Sequence, residues 1–197
     1  MNANVTAQQV QMIQTNDANK LANYLKTSKL TSKAIRHLFT EGSPEMKETF
    51  LKLSYPIGDL FRVYQKDVIR YSDRRTLATY YMYHDVKPSG EIELIKRDDV
   101  NSFIYYTSGH RLSDKAFNFL LEQGSFKLVE AFLSNNNLDD YQLKKLLRLG
   151  NIDYIRIYMD TATGTEREEI LQVVTEMNNP TLLYSIYEGC YDVNVEA

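Results

Sequence analysis

Pairs of adjacent apolar residues recur along this chain at a nearly constant interval. Between the first members of successive pairs, the spacings are 26, 30, 26, 26, 26 and 27 residues. The seven pairs are Met12-Ile13, Leu38-Phe39, Val68-Ile69, Leu94-Ile95, Leu120-Leu121, Leu146-Leu147 and Val173-Val174. A regular interval of this length is typical of repeat proteins, in which one supersecondary unit recurs along the chain.

A residue that favours turns or helix ends follows six of the seven pairs at the same distance. The third residue after each pair is Asn16, Gly42, Ser72, Asp98, Gly124, Gly150 or Met177, and Asn178 comes next in the last repeat. Glycine tolerates left-handed turn conformations, while Asn, Asp and Ser form hydrogen bonds with their own backbone. The pattern therefore predicts a tight turn shortly after every apolar pair.

A second apolar stripe follows the predicted turns, near the fourth, fifth, eighth and ninth positions. These positions lie on one face of an α-helix. The stripe comprises Leu77, Ala78, Tyr81 and Met82 in the third repeat, Leu128, Val129, Phe132 and Leu133 in the fifth, Tyr154, Ile155, Tyr158 and Met159 in the sixth, and Leu182, Leu183, Ile186 and Tyr187 in the seventh. The fourth repeat, with Phe103 and Tyr106, fits loosely. Each repeat is therefore predicted to be a helix, a tight turn and a second helix that runs back.

Residues that cap helix N-termini stand where the repeat predicts that first helices begin. They are Thr6, Thr31, Ser113, Asp139 or Asp140, and Thr165. A helix pair of about 26 residues cannot bury its apolar face alone, so we expect the pairs to stack. The predicted fold is all-α, an α-solenoid of about seven helix–turn–helix repeats in a single domain over residues 1–197. The alternative is an ordinary helical bundle whose helices are similar in length.

The composition of the chain supports a helical fold and excludes several protein classes. Of the 197 residues, 43% are hydrophobic and 25% are charged, which is enough for one substantial core and excludes disorder. Only 8 Gly and 4 Pro are present, too few for the hairpins of a many-stranded sandwich or barrel. No apolar run reaches the ~20 residues of a membrane span, and Met1 to Thr15 lacks the features of a signal peptide. We expect a soluble, cytoplasmic protein.

The segment from Leu120 to Leu133 resembles the helix–turn–helix part of an ankyrin repeat, where an apolar pair precedes a turn glycine and two apolar pairs follow. The segments from Leu38 to Leu51 and from Leu146 to Met159 are similar. The chain lacks the Thr-Pro-Leu-His helix start and the β-hairpin of that family, whose repeats are about 33 residues long. The resemblance implies that a concave, repeat-built surface binds a protein partner, and it implies no catalytic residues.

The residue types that perform catalysis or bind metals form no recognisable set in this sequence. His37, His84 and His110 fall in different repeats, and none has the i, i+4 partner that binds zinc. The dipeptide His84-Asp85 is more simply a helix end, and Cys190 is expected to be a packing residue. The carboxylate pairs Asp98-Asp99, Asp139-Asp140 and Glu168-Glu169 are expected to lie in turns or at helix starts. We therefore expect no enzymatic activity, no cofactor and no metal.

One segment, between Leu60 and His84, combines basic and tyrosine side chains. It contains five basic and two acidic residues, and Arg62, Lys66 and Arg70 share one predicted helix face. The candidate partner-binding residues are Arg62, Tyr64, Lys66, Arg70, Tyr71, Arg74, Arg75 and Tyr83. Tyr and Arg are enriched at protein-binding hot spots, whereas a basic stripe with aromatic residues also suits nucleic acid. A third interpretation is an ordinary solvated helix face.

The net charge reverses along the chain, from +4 over residues 1–111 to −7 over residues 112–197. The reversal favours a protein partner, because a solenoid that binds nucleic acid usually carries a basic stripe along its length. We expect a non-enzymatic interaction module, an adaptor or an inhibitor, that binds a protein partner. The second hypothesis is an assembly subunit, for example of a virion, that self-associates through its oppositely charged halves. The third is a HEAT-like nucleic-acid binder.

Overall fold

Short polar turns divide the chain into α-helices in the computed structural model, which describes residues 3–54 and 60–191. Those residues contain fourteen helices and no strand. The helices are α1 (Ala3–Gln14), α2 (Ala18–Leu25), α3 (Ser32–Glu41), α4 (Pro44–Leu53), α5 (Leu60–Tyr71), α6 (Arg74–Tyr83), α7 (Pro88–Arg97), α8 (Val100–Thr107), α9 (Asp114–Gln123), α10 (Phe126–Leu133), α11 (Asp140–Leu149), α12 (Ile152–Thr161), α13 (Gly164–Glu176) and α14 (Pro180–Tyr191). None of these described helices is both long and apolar enough to cross a membrane. The prediction of an all-α fold is confirmed.

Consecutive helices form pairs that are joined by turns of two or three residues. Every predicted turn position falls between the two helices of a pair, from Asn16 between α1 and α2 to Asn178 between α13 and α14. Seven helix–turn–helix repeats therefore lie in the described residues, in the register that the apolar pairs predict.

Contacts group the chain into two compact units, Met1–Arg97 and Asp98–Ala197. The division falls at the turn between α7 and α8, inside the fourth repeat. The N-terminal unit contains α1 to α7, and the C-terminal unit contains α8 to α14. A single domain over residues 1–197 stays a prediction.

Within each unit, a helix packs against its counterpart in the next repeat. In the N-terminal unit, the first helices α1, α3, α5 and α7 contact one another in order, and so do the second helices α2, α4 and α6. The C-terminal unit has α9, α11 and α13 in one layer and α8, α10, α12 and α14 in the other. Stacking of equivalent helices in two layers is the packing of an α-solenoid.

The apolar pairs of the first helices form much of the core. Both members are buried in six of the seven pairs. In the seventh pair Val174 is buried and Val173 is half-buried. The apolar pairs that mark the repeat in the sequence are thus core residues of the structure.

The second helices α4, α6, α8 and α10 bury the third, fourth, seventh and eighth positions after their N-cap residue. After the N-cap Ser125 these positions are Leu128, Val129, Phe132 and Leu133, all buried as predicted. After the N-cap Asp99 they are Ser102, Phe103, Tyr106 and Thr107, which are buried as well. The fourth repeat therefore follows the same register, with hydroxyl side chains at two of its core positions.

Two residues predicted to lie in the core are exposed instead. Met82 is 73% exposed, because α6 follows the N-cap Asp73 and its buried stripe falls one residue earlier, with Tyr80 inside. Tyr187 is 44% exposed, because α14 is the last described helix and no further described helix lies against this side of it. The prediction was wrong at both residues.

Side-chain caps begin several first helices as the sequence indicates. Thr31, Ser113 and Asp139 each accept a hydrogen bond from an amide of the following first turn. Asp139 also forms a capping box with Gln142, so that two amides at this helix start have partners. These three predicted helix starts are confirmed.

Two other predicted helix starts, and one carboxylate pair expected at a helix start, lie inside helices. Thr6 is the fourth residue of α1, Thr165 is the second residue of α13, and Glu168-Glu169 follow in α13. Both helices begin earlier than the capping residues indicate, so these predictions were wrong. Thr6 donates instead to the hydroxyl oxygen of Thr31, at 3.3 Å.

Two left-handed turn residues link their own repeat to the next one. Asn16 and Asp98 have φ angles of 52° and 57°. The side-chain oxygen of Asn16 accepts a hydrogen bond from the backbone N–H of Ser43 at 3.0 Å, and the Asp98 carboxylate accepts one from the Ser125 hydroxyl. Hydrogen bonds from Lys127, 2.8 Å away, and from Ser125 hold the pKa of Asp98 below its usual value. Each link joins turns of neighbouring repeats.

Glycine is required at three of the turns for two different reasons. Gly150 has a φ of 69°, a left-handed conformation that strains other residues. Gly42 and Gly124 have φ angles of −71° and −70°, which any residue can adopt. A Cβ atom there would lie 2.6 Å from the carbonyl oxygen of Leu38 or 2.5 Å from that of Leu120, so these two turns need glycine for lack of space.

We expect Gly42→Ala to lower the free energy of unfolding by about 1–3 kcal/mol, because its Cβ must displace the Leu38 carbonyl or the buried Leu38 side chain. Gly164→Ala is the matched control. Nothing lies within 4 Å of a Cβ at that helix start, so stability should stay the same or rise slightly. Urea unfolding followed by circular dichroism measures both. A Gly42→Ala variant as stable as the parent protein contradicts the steric requirement.

Candidate functional site

The residues predicted to bind a partner lie on α5 and α6, the two helices of the third repeat. Arg62, Tyr64, Lys66, Arg70 and Tyr71 belong to α5, and Arg74, Arg75 and Tyr83 belong to α6. The Arg62 side chain lies outside the described part of the chain. Lys66, Arg70, Tyr71, Arg74 and Arg75 are exposed, and Tyr83 is half-buried.

Tyr64 does not belong to the surface that the sequence predicts. Only 7% of this residue is exposed. Tyr64 stands four residues before Val68, and the residues four positions before other apolar pairs, such as Ala34 and Ala116, are fully buried. This position faces the interior of the stack. Tyr64 is therefore a core residue, and the prediction that it contacts a partner is wrong.

Arg70 forms an ion pair with a carboxylate of the next repeat. Its Nε and Nη2 donate to Oε1 of Glu93 in α7, at 2.8 and 2.6 Å. The Glu93 side chain is 9% exposed, whereas the Arg70 side chain is 51% exposed. The hydrogen bond to Glu93 raises the pKa of Arg70 further above neutrality. One edge of the guanidinium is therefore fixed by the fold, and roughly half of the side chain remains exposed.

The same ion pair recurs in the C-terminal unit with the charges exchanged. Glu122 of α9 and Lys145 of α11 lie 3.4 Å apart. Glu122, like Arg70, comes two residues after the first member of an apolar pair, and Lys145, like Glu93, comes one residue before the next pair. The pairing at these two positions therefore recurs at two junctions, where it links neighbouring first helices.

Two further ion pairs cross between repeats of the N-terminal unit. In the layer of second helices, Nε of Arg75 lies 2.6 Å from Oε1 of Glu48, a nearly buried carboxylate of α4. In the layer of first helices, Nε of Arg36 donates to Oδ2 of Asp67 at 2.9 Å. Arg75, a predicted contact residue, thus has a structural partner in the preceding repeat.

The C-terminal end of α5 is held by cations from both neighbouring repeats. Nη1 of Arg97 donates to the carbonyl oxygens of Ile69 and Ser72, at 2.6 and 2.5 Å. Nζ of Lys47 donates to the carbonyl oxygen of Tyr71 at 3.3 Å. Burial lowers the pKa of Lys47. Positive charge at a helix C-terminus interacts favourably with the unpaired carbonyl groups there.

The turn after α5 also begins the next helix with a carboxylate cap. Asp73 accepts hydrogen bonds from the backbone N–H and the hydroxyl of Thr76, at 3.0 and 2.9 Å. Partial burial opposes ionisation of Asp73, but these bonds prevail and lower its pKa. The backbone of this turn is therefore fixed from both sides.

Three of the exposed residues around this turn are Arg70, Tyr71 and Arg74, which we call the Tyr71 surface. Tyr71 is 44% exposed, and the guanidinium carbon of Arg70 lies 5.9 Å from the centre of its ring. Arg74 follows at the start of α6 and makes a contact of its own within the chain. An exposed tyrosine between two arginines is a combination enriched at protein-binding hot spots.

His84, the histidine predicted at a helix end, is the C-cap residue of α6. Its Nε2 lies 3.3 Å from the carbonyl oxygen of Leu51, and its ring stacks on Tyr80 with 5.4 Å between centroids. Burial lowers the pKa of His84, which favours the neutral imidazole. The described part of the chain contains no group of three or more His, Cys, Asp or Glu side chains that could hold a metal ion.

Comparison of this chain with models of known protein families, with curated proteins and with solved structures found no match.

We expect Arg70→Glu to lower the urea midpoint of unfolding, because the nearly buried Glu93 then faces a second carboxylate. Glu93→Arg should also destabilise, since it places two cations together. The double variant Arg70→Glu/Glu93→Arg should recover most of the loss, because it has the charge order of Glu122 and Lys145. Urea unfolding curves of the parent protein, the two single variants and the double variant give the coupling free energy between residues 70 and 93. Losses that simply add in the double variant contradict a stabilising pair.

Proposed function

We propose that this protein is a non-enzymatic protein-binding module and that the Tyr71 surface contacts its partner. The observation that carries the proposal is the exposure of Tyr71, 44%, on a turn whose backbone and flanking arginine are fixed by other repeats. Tyr and Arg side chains bury a large contact area and donate hydrogen bonds to carboxylates.

Preorganisation favours this surface as a binding site. Glu93 holds one edge of Arg70, while Lys47 and Arg97 hold the carbonyl groups at the end of α5. A side chain that is already ordered loses less conformational entropy when a partner binds. The exposed edge of Arg70 keeps N–H groups that can bind a partner's carboxylate.

The charge of the N-terminal unit favours an acidic partner. Residues 1–97 contain 15 Lys and Arg against 10 Asp and Glu, a net charge of +5. Opposite charge on the partner would speed the encounter and disfavour basic competitors. The ankyrin-like pattern of the repeats supports protein binding as well, and the single cysteine suits the reducing cytoplasm.

Affinity capture with quantitative mass spectrometry tests the proposal. We expect Tyr71→Ala/Arg74→Ala to reduce enrichment of the partner at least about tenfold, because both changes remove exposed contact groups. Tyr141→Ala is the matched control, since Tyr141 of α11 is similarly exposed, 42%, but lies in the C-terminal unit. An unchanged set of captured proteins contradicts the proposed surface, and capture of RNA that declines steeply with salt indicates the nucleic-acid alternative.

A further inference from the structure

The second helices of the C-terminal unit bury the same two positions wherever a later repeat follows. These positions are the fourth and the eighth after the N-cap residue. They are Val129 and Leu133 in α10 and Ile155 and Met159 in α12, none of which is more than 7% exposed. Because α10 contacts α12 and α12 contacts α14, each has a later helix against it. The two positions therefore mark the side of a repeat that its successor covers.

The last described helix, α14, has apolar residues at these positions without that cover. The side chain of Asn179 accepts a hydrogen bond from the amide of Leu182 and caps the helix, so the fourth and eighth positions are Leu183 and Tyr187. Leu183 is half-buried and Tyr187 is 44% exposed. A solenoid face that no further repeat covers is normally polar. Here it presents an aliphatic and an aromatic side chain.

The opposite side of a repeat, which meets the preceding repeat, is open at α1 and α2. The third and seventh positions after the N-cap Asp17 are Lys20 and Tyr24, whose counterparts Met46 and Phe50 in α4 are buried. Lys20 and Tyr24 line one wall of a groove of about 410 Å³. The α1 side of the groove includes Val5, Gln8 and Met12. In the second repeat the counterparts of Gln8 and Met12, Ala34 and Leu38, are completely buried.

We propose that α14 of one copy docks into the α1–α2 groove of a second copy, so that the chain binds itself head to tail. Leu183 and Tyr187 of one copy then contact the groove of the other copy, in the way that one repeat contacts the next repeat within a chain. The contact between two copies thereby repeats the contact between two repeats. This interface is separate from the Tyr71 surface, and neither requires the other.

Charge selects a second copy as the occupant of the groove. Residues 164–197 carry seven acidic side chains and one arginine, a net charge of −6, whereas residues 1–31 carry three lysines and one aspartate, a net charge of +2. Pairing of two α14 helices brings like charges together, and head-to-tail pairing brings opposite charges together. Each docked pair keeps one free groove and one free α14, so further copies add to it.

Sedimentation velocity over a protein concentration series tests the interface. We expect the parent protein to form species larger than a monomer, and fewer of them as salt rises. Tyr187→Glu and the groove variant Gln8→Glu/Lys20→Glu should each weaken self-association at least about tenfold, since each adds acidic charge to an apolar or basic contact. Tyr184→Glu is the matched control. The equivalent residue in α12, Arg156, is exposed, so this position lies outside the contact between neighbouring repeats.

Mixing the two variants distinguishes head-to-tail docking from other modes of association. The Tyr187→Glu protein keeps an intact groove, and the groove variant keeps an intact α14. We therefore expect the mixture to form one-to-one dimers and no larger species, which also shows that both variants are folded. A parent protein that stays monomeric, variants that associate like the parent, or a mixture without dimers would each overturn the proposal. Partner capture by the Tyr71 surface is unaffected by any of these outcomes.

Discussion

A helix pair of about 26 residues has too little interior to bury its own apolar face, so the structure depends on the cover that neighbouring repeats give one another. Within each unit, first helices stack on first helices and second helices on second helices. Side chains as large as Tyr80, Phe103 and Phe117 are completely buried in this arrangement. Most of the free energy that stabilises a repeat therefore comes from its junctions, and the polar links at turns and helix ends refine the alignment of those junctions.

The same junctions determine which polar groups remain exposed. Arg70 and Arg75 each bind a carboxylate, Glu93 or Glu48, that is nearly buried in an adjacent helix. These arginines therefore have a structural role within the stack, in addition to being exposed. Tyr71 is exposed at the end of α5, between these two arginines in the sequence, so the alignment of neighbouring helices determines its surroundings.

Local chemistry made the repeat recognisable in the sequence, whereas long-range contacts concealed much of the candidate site. A turn residue such as Gly150 acts within a few positions of itself, so its spacing alone predicts it correctly. The register of α6 depends on the cap at Asp73, and a difference of one residue moves Met82 from the core to the surface. The pairing of Arg70 with Glu93 joins two helices, and it becomes visible only when the stacked helices show which positions meet.

The opposite signs of the two equivalent ion pairs have a consequence for the order of the repeats. Arg70 of the third repeat meets Glu93 of the fourth, whereas Glu122 of the fifth meets Lys145 of the sixth. If α11 packed on α5 in place of α7, Lys145 would lie against Arg70, and two cations would lose water without gaining a counter-ion. Exchange of neighbours between similar repeats is a common route to misassembly while a chain folds. At these two junctions, charge therefore favours the observed neighbour over the exchanged one.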